Sequence, residues 1–271
     1  MSLSLKNRII VFCGFLSLLS SCSQVEITGR KQFNLVPASI MNSMSFQSYG
    51  EFISQNKLST DVEQTQMVKG LGSRIQKAVE KYYTEKNLLD QLKGYQWEFN
   101  LIEDKSLNAW CMPGGKVVVY TGLLPVTQTE GGLAVVVGHE IAHAVVKHGA
   151  ERMTQGLIVE MGGMALSKAL ANRPEKTKDL FMRSYGIGTE VGVLLPYSRV
   201  HEKEADHLGL IFMALAGYNP NDAVSFWERM AASKGDQAAP PEILSTHPAD
   251  STRIRNIKEL IPEAMKYYQK Q

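Results

Sequence analysis

The sequence predicts an α+β fold that is dominated by helices and carries a small sheet beside one apolar helix. Three observations lead to this prediction. Apolar residues recur at helical spacing along most of the chain. Strand patterns are confined to two short segments, the alternating residues 96–103 and the apolar run 116–120 after the Pro113-Gly114-Gly115 turn. The 271 residues contain no internal repeat, and their number suits one well-packed domain.

Helices account for the other predicted elements. Two helical patterns precede the first strand, and a helix with the pentapeptide HEIAH begins near Glu130. A later helix ends at Gly217, where Asn219-Pro220 breaks the pattern. Helices are predicted at 38–55, 61–84, from about 130, 149–171, 175–195, 200–216, 222–233 and 251–268. The apolar segment between 154 and 195 is expected to form a buried helix hairpin, with a mobile flap or membrane-facing patch as the alternative.

The pentapeptide HEIAH, His139 to His143, is typical of a zinc site. Residues four apart on an α-helix lie only about 40° apart around its axis, so both imidazoles can reach one ion. Glu140 is rotated by about 100° from His139, which suits a carboxylate that contacts water beside the metal. Zinc lowers the pKa of such water toward ~7, so Glu140 is the candidate general base. Chance is the alternative, because this pattern arises by accident in roughly one comparable chain per hundred.

A catalytic zinc site needs a third protein ligand. The position six residues after His143 is Gly149, which excludes a third His there, and His148 is expected to face a different side of the helix. Glu202 is the better candidate, because it lies in the helical pattern SRVHEKEADHLGL and Asp206 follows one turn later. Asp206 can orient a ligand imidazole by accepting its other N–H. An ordinary solvated charged face is the alternative for this segment.

HEIAH followed by SRxxExEAD resembles the gluzincin zinc peptidases that include HtpX, the CAAX prenyl endopeptidases and the periplasmic BepA- and LoiP-type proteases. Two further segments are similar, NAWCMPGGKVVVYTGLL and STHPADSTRI, and the resemblance covers about residues 32–261. In that family the first Glu of the ExxxD element is the third zinc ligand, which implies Glu202 here and places Asp206 as the Asp. The resemblance also implies a gluzincin-type fold, one Zn²⁺ per chain and endopeptidase activity.

The same resemblance implies a substrate-binding strand. In gluzincins a strand beside the zinc helix pairs with extended substrate, and an Asn-Ala-aromatic element contacts the substrate backbone. That role falls on Asn108 and Ala109. Backbone hydrogen bonds suit a protease of varied peptides, because they do not depend on side chains. An ordinary core strand and turn is the alternative for each residue.

The amino terminus predicts export. Lys6 and Arg8 precede the apolar run IIVFCGFLSLL, and Ser-Ser-Cys22 follows, as in a secretory signal. The run is too short for a bilayer span, which needs about twenty residues. Leu-Ser-Ser-Cys resembles a bacterial lipobox, which implies that Cys22 is acylated; a plain signal peptide with an incidental Cys is the alternative. Ser23 is not the Asp that favours inner-membrane retention, so the outer membrane is expected.

The predicted division is a lipoprotein signal peptide at 1–21, a tether at 22–37 and a single zinc metallopeptidase domain at 38–271. Cleavage would discard Cys13 and leave Cys111 as the free thiol, so no intrachain disulfide is expected.

Cleavage would also remove Lys6 and Arg8 from the 29 basic residues, which leaves 27 basic against 27 acidic residues. A formally neutral mature chain without a basic patch argues against nucleic acid as a partner. The sequence does not predict an oligomeric state.

His247 is a further candidate site residue. It lies in the loop STHPAD, where Pro248 confines its backbone to extended conformations. Family members share this His-Pro pair, which implies either a fourth zinc ligand in a resting enzyme or an oxyanion donor. The ligand is favoured, since an envelope protease without a propeptide needs a restraint. A helix-entry loop is the alternative.

These features predict a lipid-anchored zinc endopeptidase of the bacterial periplasm that lacks the multi-span helices of the HtpX and prenyl-peptidase branches. Prenylated substrates are therefore not implied, and unfolded or misassembled envelope proteins are the expected substrates. The rival hypothesis is a chaperone or assembly factor for outer-membrane proteins that binds zinc and cleaves rarely.

Overall fold

The computed structural model describes residues 22–162, 166–187, 198–233, 243–244, 247 and 251–269. The predicted signal peptide, residues 1–21, lies outside them. Helices dominate, and a small sheet lies beside the HEIAH helix, which confirms the predicted fold class. The strands are β1 (Cys22–Gln24), β2 (Lys31–Phe33), β3 (Glu98–Ile102), β4 (Ala109–Met112) and β5 (Lys116–Tyr120). The longer helices are α1 (Ala38–Gln55), α2 (Val62–Glu85), α4 (Glu130–Val145), α5 (His148–Met161), α7 (Pro174–Ser184), α8 (Arg199–Leu215), α9 (Asp222–Ala232) and α10 (Ser251–Ala264), and α3 (Leu124–Thr127) and α6 (Leu166–Asn172) are short.

The main sheet has the strand order β3-β5-β4, with β3 parallel and β4 antiparallel to β5. All five residues of β5, KVVVY, are buried, as expected for a central strand covered on both faces. Val117 and Val119 join the apolar cluster around α4, whereas Val118 and Tyr120 join a second cluster with residues of α1 and α7. In the described part of the chain β4 is therefore an edge strand beside α4.

The helix α4 is the centre of the larger cluster. Thr129 caps its amino end, because its Oγ1 accepts a hydrogen bond from the Gly132 N–H at 3.0 Å. From Gly132 to Val145 each residue of α4 is buried. Its most extensive contact is with α8, whose amino end is capped by Ser198. These two helices carry the candidate ligands.

A pair of glycines sets the close approach of α4 to α8. A Cβ atom on Gly138 would lie 2.9 Å from the Gly209 carbonyl oxygen, and one on Gly209 would lie 2.9 Å from the His139 backbone nitrogen. Real Cβ atoms essentially never approach closer than about this distance, so larger residues would push the helices apart. The crossing thus brings the backbone of α8 against the first HEIAH residue.

The segment 22–37, predicted as an extended tether, contains an antiparallel hairpin of β1 and β2. It is attached to the body: the Gln32 side chain, which is buried, donates a hydrogen bond of 2.7 Å to the Val146 carbonyl at the end of α4. Long-range polar contacts, which no local sequence pattern reveals, decide its structure. The hairpin is therefore part of the surroundings of α4.

The predicted helices at 149–171 and 175–195 also differ from the structure. The first is divided: α5 ends before Gly162, which has a left-handed φ of 62°, and α6 begins at Leu166. The second, α7, ends at Ser184 before Gly186 with a φ of 70°, and residues 188–195 lie outside the described part. Periodicity alone missed both stops. No described helix is long and apolar enough to cross a membrane.

The apolar segment after residue 154 is buried on one side only. Leu157 of α5 is 1% exposed, whereas Val159 is 81% exposed. The described part of this segment thus has one buried and one exposed side, where a buried helix hairpin was predicted; the mobile flap or membrane-facing patch stays a prediction.

Candidate metal centre and catalytic cleft

Helices α4 and α8 bring the predicted ligands to one buried point. The Nε2 atoms of His139 and His143 lie 2.9 Å apart, as expected for residues on one helix face. The Glu202 carboxylate faces both: Oε2 lies 3.5 Å from His139 Nε2, and Oε1 lies 3.3 Å from His143 Nε2. Together with His247, these side chains form a buried group whose possible ligand atoms lie within 4.8 Å of one another.

Asp206 lies one turn after Glu202 on α8, and its Oδ1 is 3.0 Å from His139 Nδ1. His139 therefore presents Nε2 to the ligand group and Nδ1 to a carboxylate. A carboxylate that holds the distal nitrogen of a ligand imidazole fixes the orientation of its ring. The structure thus places Asp206 where the sequence analysis expected it.

Glu140 lies beside the ligand group. The residue is 3% exposed, and its Oε1 is 3.5 Å from His247 Nε2. That oxygen accepts no hydrogen bond from the described residues. A buried carboxylate oxygen without a donor is costly unless it contacts something further, such as water or substrate. Glu140 is thus available to act as a base.

His247 approaches the ligand group from the segment that follows α9. Its Nδ1 lies 2.9 Å from Glu202 Oε1 and 3.1 Å from His139 Nε2, so Nδ1 is the atom turned toward the ligands. Its backbone N–H donates to the Ile243 carbonyl oxygen at 2.8 Å. The rest of STHPAD, residues 245–246 and 248–250, lies outside the described part. The structure thus brings His247 to the site, with Nδ1 among the possible ligand atoms.

Ala109 is the first residue of the edge strand β4 and Asn108 directly precedes it; both are 3% exposed. The Asn108 Nδ2 atom is buried and donates to no partner within the described residues. The neighbouring Leu107 carbonyl oxygen accepts a hydrogen bond of 3.2 Å from the Ile243 N–H. A segment leading to His247 thus already pairs with the backbone beside Asn108.

The sequence matches the family described as peptidase family M48 over residues 72–261, a segment that includes HEIAH, Glu202, His247 and the edge strand. The chain belongs to peptidase family M48. It is therefore a metallopeptidase, and its helix-dominated structure with a small sheet is that of an M48 domain. The prediction of an enzyme is confirmed.

Several relatives carry names that agree with this membership. Mitochondrial metalloendopeptidase OMA1 of Schizosaccharomyces pombe is 34% identical over 242 residues, which cover 89% of this chain and 66% of that protein. Metalloendopeptidase OMA1, mitochondrial, of Homo sapiens is 33% identical over 176 residues, 63% of this chain and 33% of that protein. Beta-barrel assembly-enhancing protease of Escherichia coli is 28% identical over 165 residues, 60% and 34% of the two chains. This M48 chain thus spans from about a third to two thirds of the length of these relatives.

The electrostatics of the M48 site fit a metal cation. Asp206, Glu202 and Glu140 bring three carboxylates together, and among the described residues Arg253 is the guanidinium that faces them. Its Nη1 lies 2.8 Å from Glu202 Oε2, and its Nε and Nη2 donate to Asp206 at 2.9 and 2.7 Å. A divalent ion would supply the positive charge that this arrangement lacks.

The pKa values follow from the same groups. Burial raises the pKa of Glu140 above its ordinary value, although the neighbouring His247 and His139 act against the shift. Burial lowers the pKa of His143 well below its ordinary value, which keeps its imidazole neutral, as metal binding requires. For Glu202, burial is outweighed by His247 and Arg253, so its pKa is well below the ordinary value. The carboxylate that faces the ligands is thus ionised.

Two parts of this site were not predicted from the sequence. No role was predicted for Arg253 of α10, although it lies in the segment STHPADSTRI. Its Cζ lies 3.5 Å from the centroid of the buried Trp227 ring. His148 was expected to face a different side of the helix and was not predicted as a ligand; it lies outside the ligand group, but it contacts His143 from the far side of that ring. Its Nδ1 lies 2.8 Å from Nδ1 of His143. The helix ends at Val145, and Lys147 has a φ of 65°, so the chain turns back.

The alternative of a solvated charged face on α8 is excluded for the three carboxylates. Glu202, Glu204 and Asp206 are between 6% and 7% exposed, whereas Lys203 between them is exposed. Buried carboxylates need partners, and each of these three contacts an arginine or histidine side chain. Cys111 is a free thiol that is buried in β4.

Proposed function

We propose that this metallopeptidase is a zinc-dependent endopeptidase of the bacterial envelope that cleaves unfolded or misassembled envelope proteins. The observation that carries the proposal is the convergence of His139, His143 and Glu202 on one buried point with Glu140 beside it. Two imidazoles and one carboxylate are a donor set of catalytic zinc sites, which keep a further position open. These three residues would hold one Zn²⁺, and His247 would take the open position in the resting enzyme.

Zinc, when bound, supplies Lewis-acid chemistry: it polarises a peptide carbonyl and lowers the pKa of water. Glu140 takes the proton of the attacking water and later delivers it to the leaving amine, so the same carboxylate serves as base and acid. Its pKa, which burial raises, lies closer to the operating pH than that of an ordinary Glu. Asp206 keeps Nε2 of His139 directed at the ligand group throughout.

The edge strand β4 is the proposed site for the substrate backbone. An extended peptide can add to the free edge of a sheet by main-chain hydrogen bonds, whatever its side chains are. Asn108 supports this role, because its buried Nδ2 would donate to a peptide carbonyl that arrives there. Only an unfolded segment offers a free extended backbone, so unfolded proteins are the proposed substrates. For such a substrate to bind, Ile243 would have to release the Leu107 carbonyl.

The proposed location is the periplasmic face of the outer membrane, with the chain anchored through an acylated Cys22. The support comes from the amino-terminal pattern of basic residues, apolar run and Leu-Ser-Ser-Cys. The backbone of Cys22 pairs with Phe33 in the β1–β2 hairpin, so an anchor there would hold the domain close to the membrane surface.

The second candidate function is a chaperone or assembly factor that cleaves rarely. The position of His247 favours it, because an imidazole 3.1 Å from His139 Nε2 would compete with water and substrate for the ion. The Escherichia coli relative is named as an assembly-enhancing protease, which combines the two activities in one name.

The test is the turnover of a denatured outer-membrane protein by the zinc-loaded full chain, with Glu140→Gln as the matched control. Multiple turnovers that Glu140→Gln abolishes support the endopeptidase. Binding without turnover, equal in both proteins, supports the assembly factor. Capture of proteins on Glu140→Gln in the envelope would then identify the substrates.

A further inference from the structure

His148 contacts a proposed metal ligand and a carboxylate at the same time. The residue is 0% exposed. Its Nδ1 lies 2.8 Å from Nδ1 of His143, and its Nε2 lies 2.7 Å from Oε2 of Glu204. Both ring nitrogens therefore have defined partners, on opposite sides of the ring. The left-handed conformation at Lys147 creates this contact, since it begins α5 with His148 directed back at α4.

The metal-binding role of His143 fixes where the protons lie. Nε2 of His143 faces the ligand group, so that atom must be unprotonated to bind a cation, and the proton is on Nδ1. Nδ1 then donates to Nδ1 of His148, which must accept. The remaining proton of His148 is on Nε2 and is donated to Glu204. One arrangement of protons satisfies all these contacts.

The amino-terminal hairpin holds Glu204 in place. Nε of Arg30 donates to Oε2 of Glu204 at 2.7 Å, and the Thr28 hydroxyl donates to Oε1. The guanidinium of Arg30 also forms a two-pronged contact with Glu151 at 2.6 and 3.0 Å. Arg30, Glu204, His148 and His143 thus form a continuous chain of contacts, which we call the His143 relay.

The neighbouring group of His148, Glu151 and His201 has the composition of a metal site. The carboxylates at this place already have partners, however. Arg30 lies against both Glu151 and Glu204, and Nε2 of His201 lies 3.0 Å from Oε2 of Glu151. Arg30 thus already supplies a positive charge to both carboxylates. The relay therefore serves the first site.

We propose that His148 is a positioning residue for the metal ligand His143, and that Glu204 and Arg30 act on the metal through it. This inference rests on the proposed zinc site. Carboxylates then orient both histidine ligands. Asp206 contacts His139 directly, whereas Glu204 acts on His143 through His148. Partners of this kind typically change metal affinity by about 10–100-fold when they are removed.

The first measurement is the zinc dissociation constant of the full chain, from competition with a chelator. His148→Leu is expected to weaken zinc binding by about 10–100-fold. His148→Asn is expected to restore most of the affinity, because its Oδ1 lies near the former Nδ1 and accepts from His143. Glu204→Gln and Arg30→Gln are expected to weaken binding less than His148→Leu. The control is His207→Ala, since His207 lies on the same helix as Glu204 and contacts Glu263 at the surface.

The second measurement distinguishes an effect on the orientation of His143 from an effect on the stability of the fold. Cobalt(II) bound in place of zinc reports the ligand field, so His148→Leu and Glu204→Gln should shift its visible absorption bands, whereas His207→Ala should not. In the His148→Asn background, Glu204→Gln should have no further effect on zinc affinity, because the link is already broken.

Unchanged zinc affinity and cobalt spectrum in a folded His148→Leu protein would overturn the inference. If His148→Leu does not fold, the inference is tested with Glu204→Gln and Arg30→Gln. Wild-type zinc affinity and a wild-type cobalt spectrum in both of these variants would also overturn it. A second zinc equivalent that is lost in His201→Ala would also contradict it. The proposed function fails separately, if the wild-type chain itself binds no zinc.

Discussion

The carboxylate oxygen Oδ1 of Asp206 lies 3.0 Å from Nδ1 of His139. Because His139 and Asp206 stand on different helices, this contact ties the HEIAH helix to α8 as well as orienting the imidazole. Arg253 holds the same carboxylate through two hydrogen bonds, from Nε to Oδ2 and from Nη2 to Oδ1. For Asp206, burial opposes ionisation, but Arg253 and His139 outweigh it and lower its pKa. Asp206 is thus a fixed anion behind the proposed metal ligand.

Replacement of Asp206 tests this arrangement. Asp206→Ala should weaken zinc binding by about 10–100-fold, because His139 loses the group that orients it. Lys203→Ala on the exposed side of the same helix is the control and should bind zinc normally. The zinc dissociation constant is measured by chelator competition. An equal dissociation constant in the two variants would show that Asp206 does not orient the ligand.

Metal binding and catalysis should separate by mutation. Glu140→Gln is expected to keep near-normal zinc content and to lose peptide cleavage, because the base is not a ligand. His139→Ala, His143→Ala and Glu202→Ala should each lose zinc as well as activity, since one of three ligands is removed. Metal analysis and a peptide cleavage assay on the purified proteins check both. Full zinc and activity in Glu202→Ala would refute the third-ligand assignment.

His247→Ala distinguishes the two roles of that imidazole. As a resting-state ligand, His247 competes with water, so its loss should raise cleavage of unfolded protein and lower zinc affinity. As an oxyanion donor, its loss should lower kcat by about 10²–10³. We expect the first result, because Nδ1 of His247 lies among the ligand atoms. If His247→Ala cleaves unfolded protein and binds zinc as the wild type does, both roles are excluded.

Two glycine-to-alanine substitutions, one at the contact of α4 with α8 and one on α2, should have opposite effects on stability. Gly209→Ala should destabilise the protein by about 1–3 kcal/mol, since its Cβ would meet the backbone of His139, and it should also weaken zinc binding. Gly70→Ala in α2 meets no atom within 4 Å, so it should stabilise by about 0.5–1 kcal/mol. Thermal unfolding of both variants gives the comparison. A Gly209→Ala protein as stable as Gly70→Ala would show that α4 and α8 can move apart at little cost.

Acylation of Cys22 is the prediction that bears on location. Cys22→Ala should release a soluble form or block processing, because the residue that receives the lipid is lost. Cys111→Ala is the control and should leave membrane association unchanged, since this thiol is buried in β4. Fractionation and mass spectrometry of the mature amino terminus provide the measurements. An unmodified terminus well beyond Cys22 would exclude a lipid anchor.

Much of the fold could be predicted because its signals are local. The spacing of His139 and His143 puts both on one helix face whatever surrounds them, and the apolar run of β5 has the predicted bounds. Helix α1 likewise has the predicted bounds, since its pattern is continuous and Pro37 precedes it. The break at Gly162 was missed, because a left-handed residue interrupts a helix without interrupting its apolar pattern.

The sequence by itself determined the spacing of the candidate site residues: two imidazoles and a carboxylate within HEIAH on one helix, and carboxylates one turn apart on a second. These follow from the helical repeat, which is a property of the local backbone. Only the tertiary structure decided that Arg253 lies against Asp206 and that Arg30 reaches Glu204. These partners are 47 and 174 residues apart in the chain, and no periodic pattern relates them. They meet because the packing of α8 against α4 buries carboxylates, and buried charges are stable only where opposite charges can reach them.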